Sequence, residues 1–162
     1  MPAAFRLTID LPSPDATTHL AAEFAGRLRA GDTLLLRGPL GAGKSHFARA
    51  LIQTAQAAAG GPVEEVPSPS FTLVQTYRAG GLEIWHVDLY RLSDPAETDE
   101  IGLDQAMDEA LVLLEWPERL EGRVPPGALW LDLTPTGDES RRLALSGPAE
   151  WDARLAGLED AV

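Results

Sequence analysis

The sequence predicts one α/β domain over residues 1–162, with three layers: a mixed β-sheet and helices flanking it. Three observations predict it. The chain has 162 residues, the length of one ordinary domain. Its 44% hydrophobic and 23% charged residues suit a packed core rather than a disordered segment. Segments of period-two alternation are interleaved with segments of helical period, and the strands are joined both by helices and by a tight turn.

Phe5–Leu11 places Phe5, Leu7, Ile9 and Leu11 on alternate positions and reads as a strand. Ser13-Pro14 supplies a capping hydroxyl and a first-turn proline, so a helix is expected from there to about Arg29, with Leu20, Phe24 and Leu28 on one face. Gly31-Asp32 stops it. Thr33–Leu36 is a short apolar strand, Gly38–Gly43 a loop, and Lys44 to about Ala59 an alanine-rich helix closed by Gly60-Gly61. Phe71–Arg78 and Leu82–Leu89 read as strands of a hairpin turned at Ala79-Gly80-Gly81. Pro95–Met107 is helical with an interruption near Gly102, and Leu111–Leu114 is a buried strand. Leu129–Leu133 and Arg141–Leu145 are strands around a Thr136-Gly137-Asp138 turn, and a last short helix starts near Pro148.

Composition narrows the function classes. Cysteine is absent, which excludes disulfides, thiolate zinc sites and cysteine nucleophiles, and fits a reducing compartment. Met1–Asp10 lacks the basic-then-apolar pattern of a signal peptide, and no apolar run approaches a membrane span. A cytoplasmic location without membrane association is the expectation. The formal net charge is −12, which opposes a wide direct grip on nucleic acid. The charge is also uneven. Glu83–Glu121 holds twelve acids and two bases, whereas Arg27–Arg49 holds five bases and one acid. Most of the acidic run reads as a solvated face.

Gly38-Pro39-Leu40-Gly41-Ala42-Gly43-Lys44-Ser45 fits the phosphate-binding pattern G-x-x-x-x-G-K-[ST] in full. Glycines allow the tight turn that exposes consecutive amides to phosphate oxygens, and the following helix directs its positive end at the same anion. Lys44 is expected to reach the outer phosphates and Ser45 to ligate magnesium. The chain has twelve arginines and one lysine, and that lysine stands where the motif needs a compact ammonium. With an apolar strand before the loop and a long helix after it, the fold class becomes P-loop NTPase-like.

Such a loop needs a carboxylate at a nearby strand end to hold magnesium, directly or through water. Glu115 follows the strand Ala110-Leu111-Val112-Leu113-Leu114, and Asp88 lies in Trp85-His86-Val87-Asp88-Leu89-Tyr90. Period two puts Ile84, His86, Asp88 and Tyr90 on one face. At this point Glu115 is either that acid or a strand-end surface residue. The His86–Asp88 face is either functional or the solvent side of a hairpin. His19 and His46 read as plain helix residues, although His46 directly follows Ser45 and so lies near any bound phosphate.

Four segments in order, Gly41-Ala42-Gly43-Lys44-Ser45, Pro67-Ser68-Pro69-Ser70-Phe71-Thr72-Leu73-Val74, His86-Val87-Asp88-Leu89-Tyr90-Arg91-Leu92 and Glu115-Trp116-Pro117-Glu118, resemble the TsaE (YjeE) family, from about Leu11 to Leu145. That family comprises bacterial ATPases required for forming threonylcarbamoyladenosine in tRNA. The resemblance implies an ATPase using ATP and Mg2+, with nucleotide contacts at Thr17, Gly41, Ala42, Gly43, Lys44, Ser45 and His46. It implies magnesium at Ser45 and Glu115, and catalytic roles for Asp88 and Lys44. Ser68–Thr72, including Ser70, would form a switch-like segment near the γ-phosphate, and Trp116 would lie beside the site or at a partner surface. Arg141 or Arg142 falls near a family arginine. The implied partners are TsaD- and TsaB-type proteins, with tRNA met only through their complex. Pro39, Ser45, His46 and Ser70 depart from the family's usual residues; Ser45 and Ser70 keep a hydroxyl, whereas His46 does not. On the residues alone, Thr17 is equally an ordinary residue of the first helix.

Two other readings of the P-loop compete. A small-molecule kinase also fits a domain of this size, with Arg91 or Arg119 as lid residues. A GTP-dependent switch is disfavoured, because a chain with no asparagine cannot carry the guanine-reading Asn-Lys-x-Asp.

Overall fold

The computed structural model describes residues 5–162, so Met1–Ala4, the start of the segment read for a signal peptide, lie outside the described residues. The strands are β1 (Phe5–Leu11), β2 (Thr33–Arg37), β3 (Val74–Ala79), β4 (Leu82–Asp88), β5 (Leu111–Glu115), β6 (Leu129–Pro135) and β7 (Arg141–Gly147). They form one sheet in the order β1-β7-β6-β2-β5-β4-β3. The run β4, β5, β2 and β6 is parallel, while β3 pairs antiparallel with β4, β7 with β6, and β1 with β7. The sheet is mixed, as expected.

Helices cover both faces. On one side lie α1 (Pro14–Ala25) and α2 (Lys44–Ala58), packed by Leu20, Phe24, Phe47 and Leu51 against Leu34, Leu36, Leu111 and Leu113 of the sheet. The Phe24 and Phe47 rings meet edge to face at 5.5 Å, which locks α1 to α2. On the other side, α3 (Glu97–Glu100) leads into α4 (Leu103–Glu109), which brings Leu103, Ala106 and Met107 onto Leu35, Val87, Val112 and Leu114. A short helix α5 (Glu150–Arg154) then packs Trp151 into the first core. Buried on both faces, β2 and β5 read as continuous apolar runs for that reason. Among the described residues no helix is long and apolar enough to cross a membrane.

Two boundaries differ from the sequence reading by three residues or more. Helix α1 stops at Ala25, not Arg29, because Gly26 ends it and Arg27 serves another purpose: its guanidinium donates to the carbonyls of Arg154 and Ala156. Strand β3 starts at Val74, not Phe71. Leu73 takes a left-handed conformation with φ 67°, and its N–H bonds the Pro69 carbonyl at 2.8 Å, so Phe71–Leu73 turn instead of extending. The interruption expected near Gly102 is present: the helical stretch is two pieces, split by Gly102 at φ 75°.

Candidate functional site

The parallel strands β2, β4 and β5 end at one level, with Leu36 opposite Glu115 and Glu115 opposite Asp88. Ligand sites of open α/β sheets form at such carboxyl ends. The glycine-rich loop leaves β2 here and enters α2. Gly38 has φ 154°, and a Cβ on it would meet the Leu133 carbonyl at 2.5 Å, so the loop lies tight against β6. Gly41 and Gly43 have φ of 80° and 102°, yet a Cβ on either would meet nothing within 4 Å. Their backbone faces open space at the start of a 15-residue helix.

A cavity of about 430 Å³ opens over this rim, lined by Gly41, Gly43, Lys44, Ser45 and His46 of the loop and α2. Ser68, Ser70, Asp88, Tyr90, Arg91, Glu115 and Trp116 line the rest of it. The two proposed acids therefore share the cavity with the loop. Both are buried, which removes the solvent-facing alternatives for Glu115 and for the His86–Asp88 face.

Alternation explains how they arrive there. Leu111, Leu113 and Glu115 point to the α2 side of β5, as Ile84, His86 and Asp88 do on β4. Glu115 thus meets the first turn of α2: the Ser45 hydroxyl lies 3.0 Å from each of its carboxylate oxygens. His86 Nε2 lies 2.6 Å from Glu115 Oε2. Asp88 Oδ2 accepts from the hydroxyls of Ser68 and Ser70, both at 3.1 Å, and its Oδ1 accepts from the Tyr90 N–H at 2.9 Å. The turn at Phe71–Leu73 is what brings Ser68 and Ser70 to Asp88.

Lys44 donates to the carbonyls of Gly38 at 2.6 Å and Pro39 at 2.9 Å, and its ammonium sits 4.3 Å from the centre of the Trp116 ring. Burial lowers its pKa, an effect partly opposed by the charges of Glu115, Asp88 and Glu118. Trp116 holds this place through a left-handed backbone, φ 62° and ψ 51°, and its ring packs on Tyr90 at 5.0 Å.

Thr17 and Ala42 do not line the cavity: Thr17 is buried within α1, and Ala42 packs inward against the core. His46 lines it, but its Nε2 is engaged with α1, 3.0 Å from Thr18 Oγ1 and 3.2 Å from the Pro14 carbonyl. Of the two candidate arginines, Arg141 donates to the loop carbonyls of Ala42 and Gly41 at 3.1 and 3.0 Å, whereas Arg142 pairs with Asp10 at the surface. The sequence reading placed His86 in a polar patch and missed its bond to Glu115. The signal was available: residues two apart on one strand, beside a strand ending in an acid.

Comparisons agree with this architecture. The family model for "Threonylcarbamoyl adenosine biosynthesis protein TsaE" matches residues 11–143. The tRNA threonylcarbamoyladenosine biosynthesis protein TsaE of Rickettsia conorii is 38% identical over 133 residues, covering 82% of this chain and 73% of the relative. The protein of the same name from Bacillus subtilis is 32% identical over 135 residues, covering 83% and 81%. The crystal structure of Bacillus subtilis YdiB superposes with a TM-score of 0.77 at 25% identity, over 96% of this chain and 95% of that one. With its fold and residues 11–143 matched, the chain belongs to the TsaE family, whose members take part in tRNA threonylcarbamoyladenosine biosynthesis.

Proposed function

We propose that the chain is a magnesium-dependent ATPase that serves tRNA threonylcarbamoyladenosine formation together with TsaD- and TsaB-type proteins. The observation carrying this reading is the meeting of Ser45 and Glu115 beside the glycine-rich loop. A hydroxyl and a carboxylate, all oxygen donors, suit a hard cation such as magnesium. The open backbone at Gly41 and Gly43 suits phosphate oxygens, which bind backbone amides at a helix start.

In this reading Ser45 and Glu115 hold the magnesium, which when bound neutralises charge on the triphosphate oxygens. Lys44 exchanges its bonds to the Gly38 and Pro39 carbonyls for bonds to the outer phosphates. The amides of Gly41, Gly43 and Lys44 orient the phosphates. Asp88, fixed by Ser68, Ser70 and the Tyr90 amide, orients the attacking water and accepts its proton. Trp116 and Tyr90 wall the cavity against solvent. Thr17 enters only through the family resemblance. The net charge of −12 accords with leaving the grip on tRNA to partners.

The test is phosphate release from ATP by the purified chain, alone and with a TsaD–TsaB pair, plus gel filtration of the mixture with and without ATP. Slow release alone, faster release with the pair and ATP-dependent co-elution are expected. A phosphorylated metabolite in place of free phosphate would replace this reading with the kinase one.

A further inference from the structure

His86 is completely buried in the middle of β4, and its only side-chain partner among the described residues is Glu115. Its other ring nitrogen, Nδ1, is buried and has no hydrogen-bond partner among the described residues. A carboxylate that binds a cation only accepts hydrogen bonds, so the reading of Glu115 as a metal ligand assigns the hydrogen to His86 Nε2, directed at Glu115 Oε2. A leucine or phenylalanine would fill the same space without leaving a nitrogen unpartnered. The imidazole therefore carries a cost to folding, and the bond to Glu115 is what it does in return.

That bond makes the two carboxylate oxygens unequal. The Ser45 hydroxyl is shared between Oε1 and Oε2, and among the described residues His86 adds a bond at 2.6 Å to Oε2 only. The strand pairing builds the difference in. His86 lies opposite Leu113 in the parallel register, and Glu115 is the next residue along β5 on the same face. The imidazole thus reaches the carboxylate from behind, on the side away from the cavity mouth.

We propose that His86 is a positioning residue, which pins the Glu115 carboxylate and leaves Oε1 as the oxygen offered to a divalent cation. The proposal rests on the magnesium-nucleotide reading given above. It assigns His86 no contact with substrate. Hydrogen bonds behind a metal-binding carboxylate fix its orientation, and their loss weakens metal affinity about 10- to 100-fold.

The test uses the full chain with Mn2+ as a spectroscopic stand-in for magnesium, a non-hydrolysable ATP analogue, and the variants His86→Leu, His86→Gln and His86→Asn. Bound Mn2+ is read by electron paramagnetic resonance, and analogue affinity is read in chelator without metal. Expected for His86→Leu is Mn2+ affinity about 10- to 100-fold weaker with metal-free analogue affinity unchanged. The glutamine amide can stand close to the place of Nε2, so His86→Gln recovers most of the loss; the shorter asparagine does not. If His86→Leu fails to fold, the glutamine and asparagine variants decide between them, and equal Mn2+ affinities in the two overturn the proposal. Wild-type Mn2+ affinity in His86→Leu overturns it too, as does a parallel loss of metal-free binding, which marks a packing role. A wild-type chain that binds the analogue with no metal dependence removes the magnesium reading itself, and this inference with it.

Discussion

The Ser45 hydroxyl lies 3.0 Å from both oxygens of Glu115, a residue 70 positions further along the chain. The contact joins the first turn of α2 to the end of β5. Replacing Glu115 with alanine leaves Ser45 and His86 without their acceptor, so metal-dependent nucleotide binding should weaken while metal-free binding persists. Calorimetric titration with and without Mg2+ separates the two. Equal loss in both conditions would count against Glu115 as a metal ligand.

Among the described residues the Asp88 carboxylate accepts three hydrogen bonds, none of them from the glycine-rich loop. Asp88→Asn keeps its size but weakens it as a base. Turnover should fall about 10²–10⁴-fold, with nucleotide affinity changed little. Single-turnover phosphate release, set beside equilibrium binding, measures the split. Ser70→Ala removes one of the donors that aim Asp88 and should cost less than Asp88→Asn.

The Lys44 prediction is one of pH. Its pKa is lowered from the ordinary 10.5 because burial disfavours the ammonium. Below the lowered value the group is charged in both folded and unfolded chains, and the burial cost is fully present. As pH rises through that value the folded chain sheds the proton first. The unfolded chain then binds more protons, so this residue's contribution to stability rises with pH until 10.5. Triphosphate affinity should run the opposite way, falling across the same alkaline window. Lys44→Ala should lose about 10²–10³-fold in turnover and show neither trend. Denaturation and binding curves taken at stepped alkaline pH check both signs.

Gly38 and Gly41 should separate folding from function. A methyl at Gly38 collides with the Leu133 carbonyl, so Gly38→Ala should destabilise by about 1–3 kcal/mol, seen as a lower melting temperature. A methyl at Gly41 meets nothing within 4 Å, so Gly41→Ala should pay only for its backbone angle, yet it places the methyl where a phosphate would approach. Nucleotide affinity should suffer more in Gly41→Ala than its melting temperature does.

Trp116 offers an optical readout. Its ring lies 4.3 Å from the Lys44 ammonium. If phosphate draws Lys44 away, the emission of Trp116 should change on adding nucleotide and stay constant in Lys44→Ala. Because Trp85, Trp130 and Trp151 also emit, the difference between the wild type and Trp116→Phe isolates the signal.

Strong periodicity made β1, β2, β5 and α2 legible, since each must bury a regular set of apolar residues. The glycine-rich turn between β2 and α2 was legible because its glycines are contiguous and flanked by an apolar strand and a long helix. Phe71–Leu73 reads as strand because phenylalanine and threonine favour strands, while the turn there is held by bonds across space: the Asp88 N–H donates to the Leu73 carbonyl, and Ser68 and Ser70 donate to the Asp88 carboxylate. Arg27 looked helical until its carbonyl partners at Arg154 and Ala156, distant in sequence, were in place. Adjacent Arg141 and Arg142 were indistinguishable by type; strand alternation sent one to the loop and the other to Asp10.

The connection from α2 to β3 is held to α2 by side chains. Arg49 Nε donates to the Val66 carbonyl at 3.0 Å, Gln53 donates to the Glu64 carbonyl at 3.0 Å, and Gln56 exchanges bonds with Glu64. The exposed bend Gly60–Val63 lies just before these ties. A fluorophore or short peptide tag inserted there would ride on the outside of the molecule, separated from Ser68 and Ser70 by three anchors. Labelling chemistry, often a hazard to an active rim, has in this bend a harbour of its own, and a chain without cysteine accepts a single engineered thiol there with no competing site.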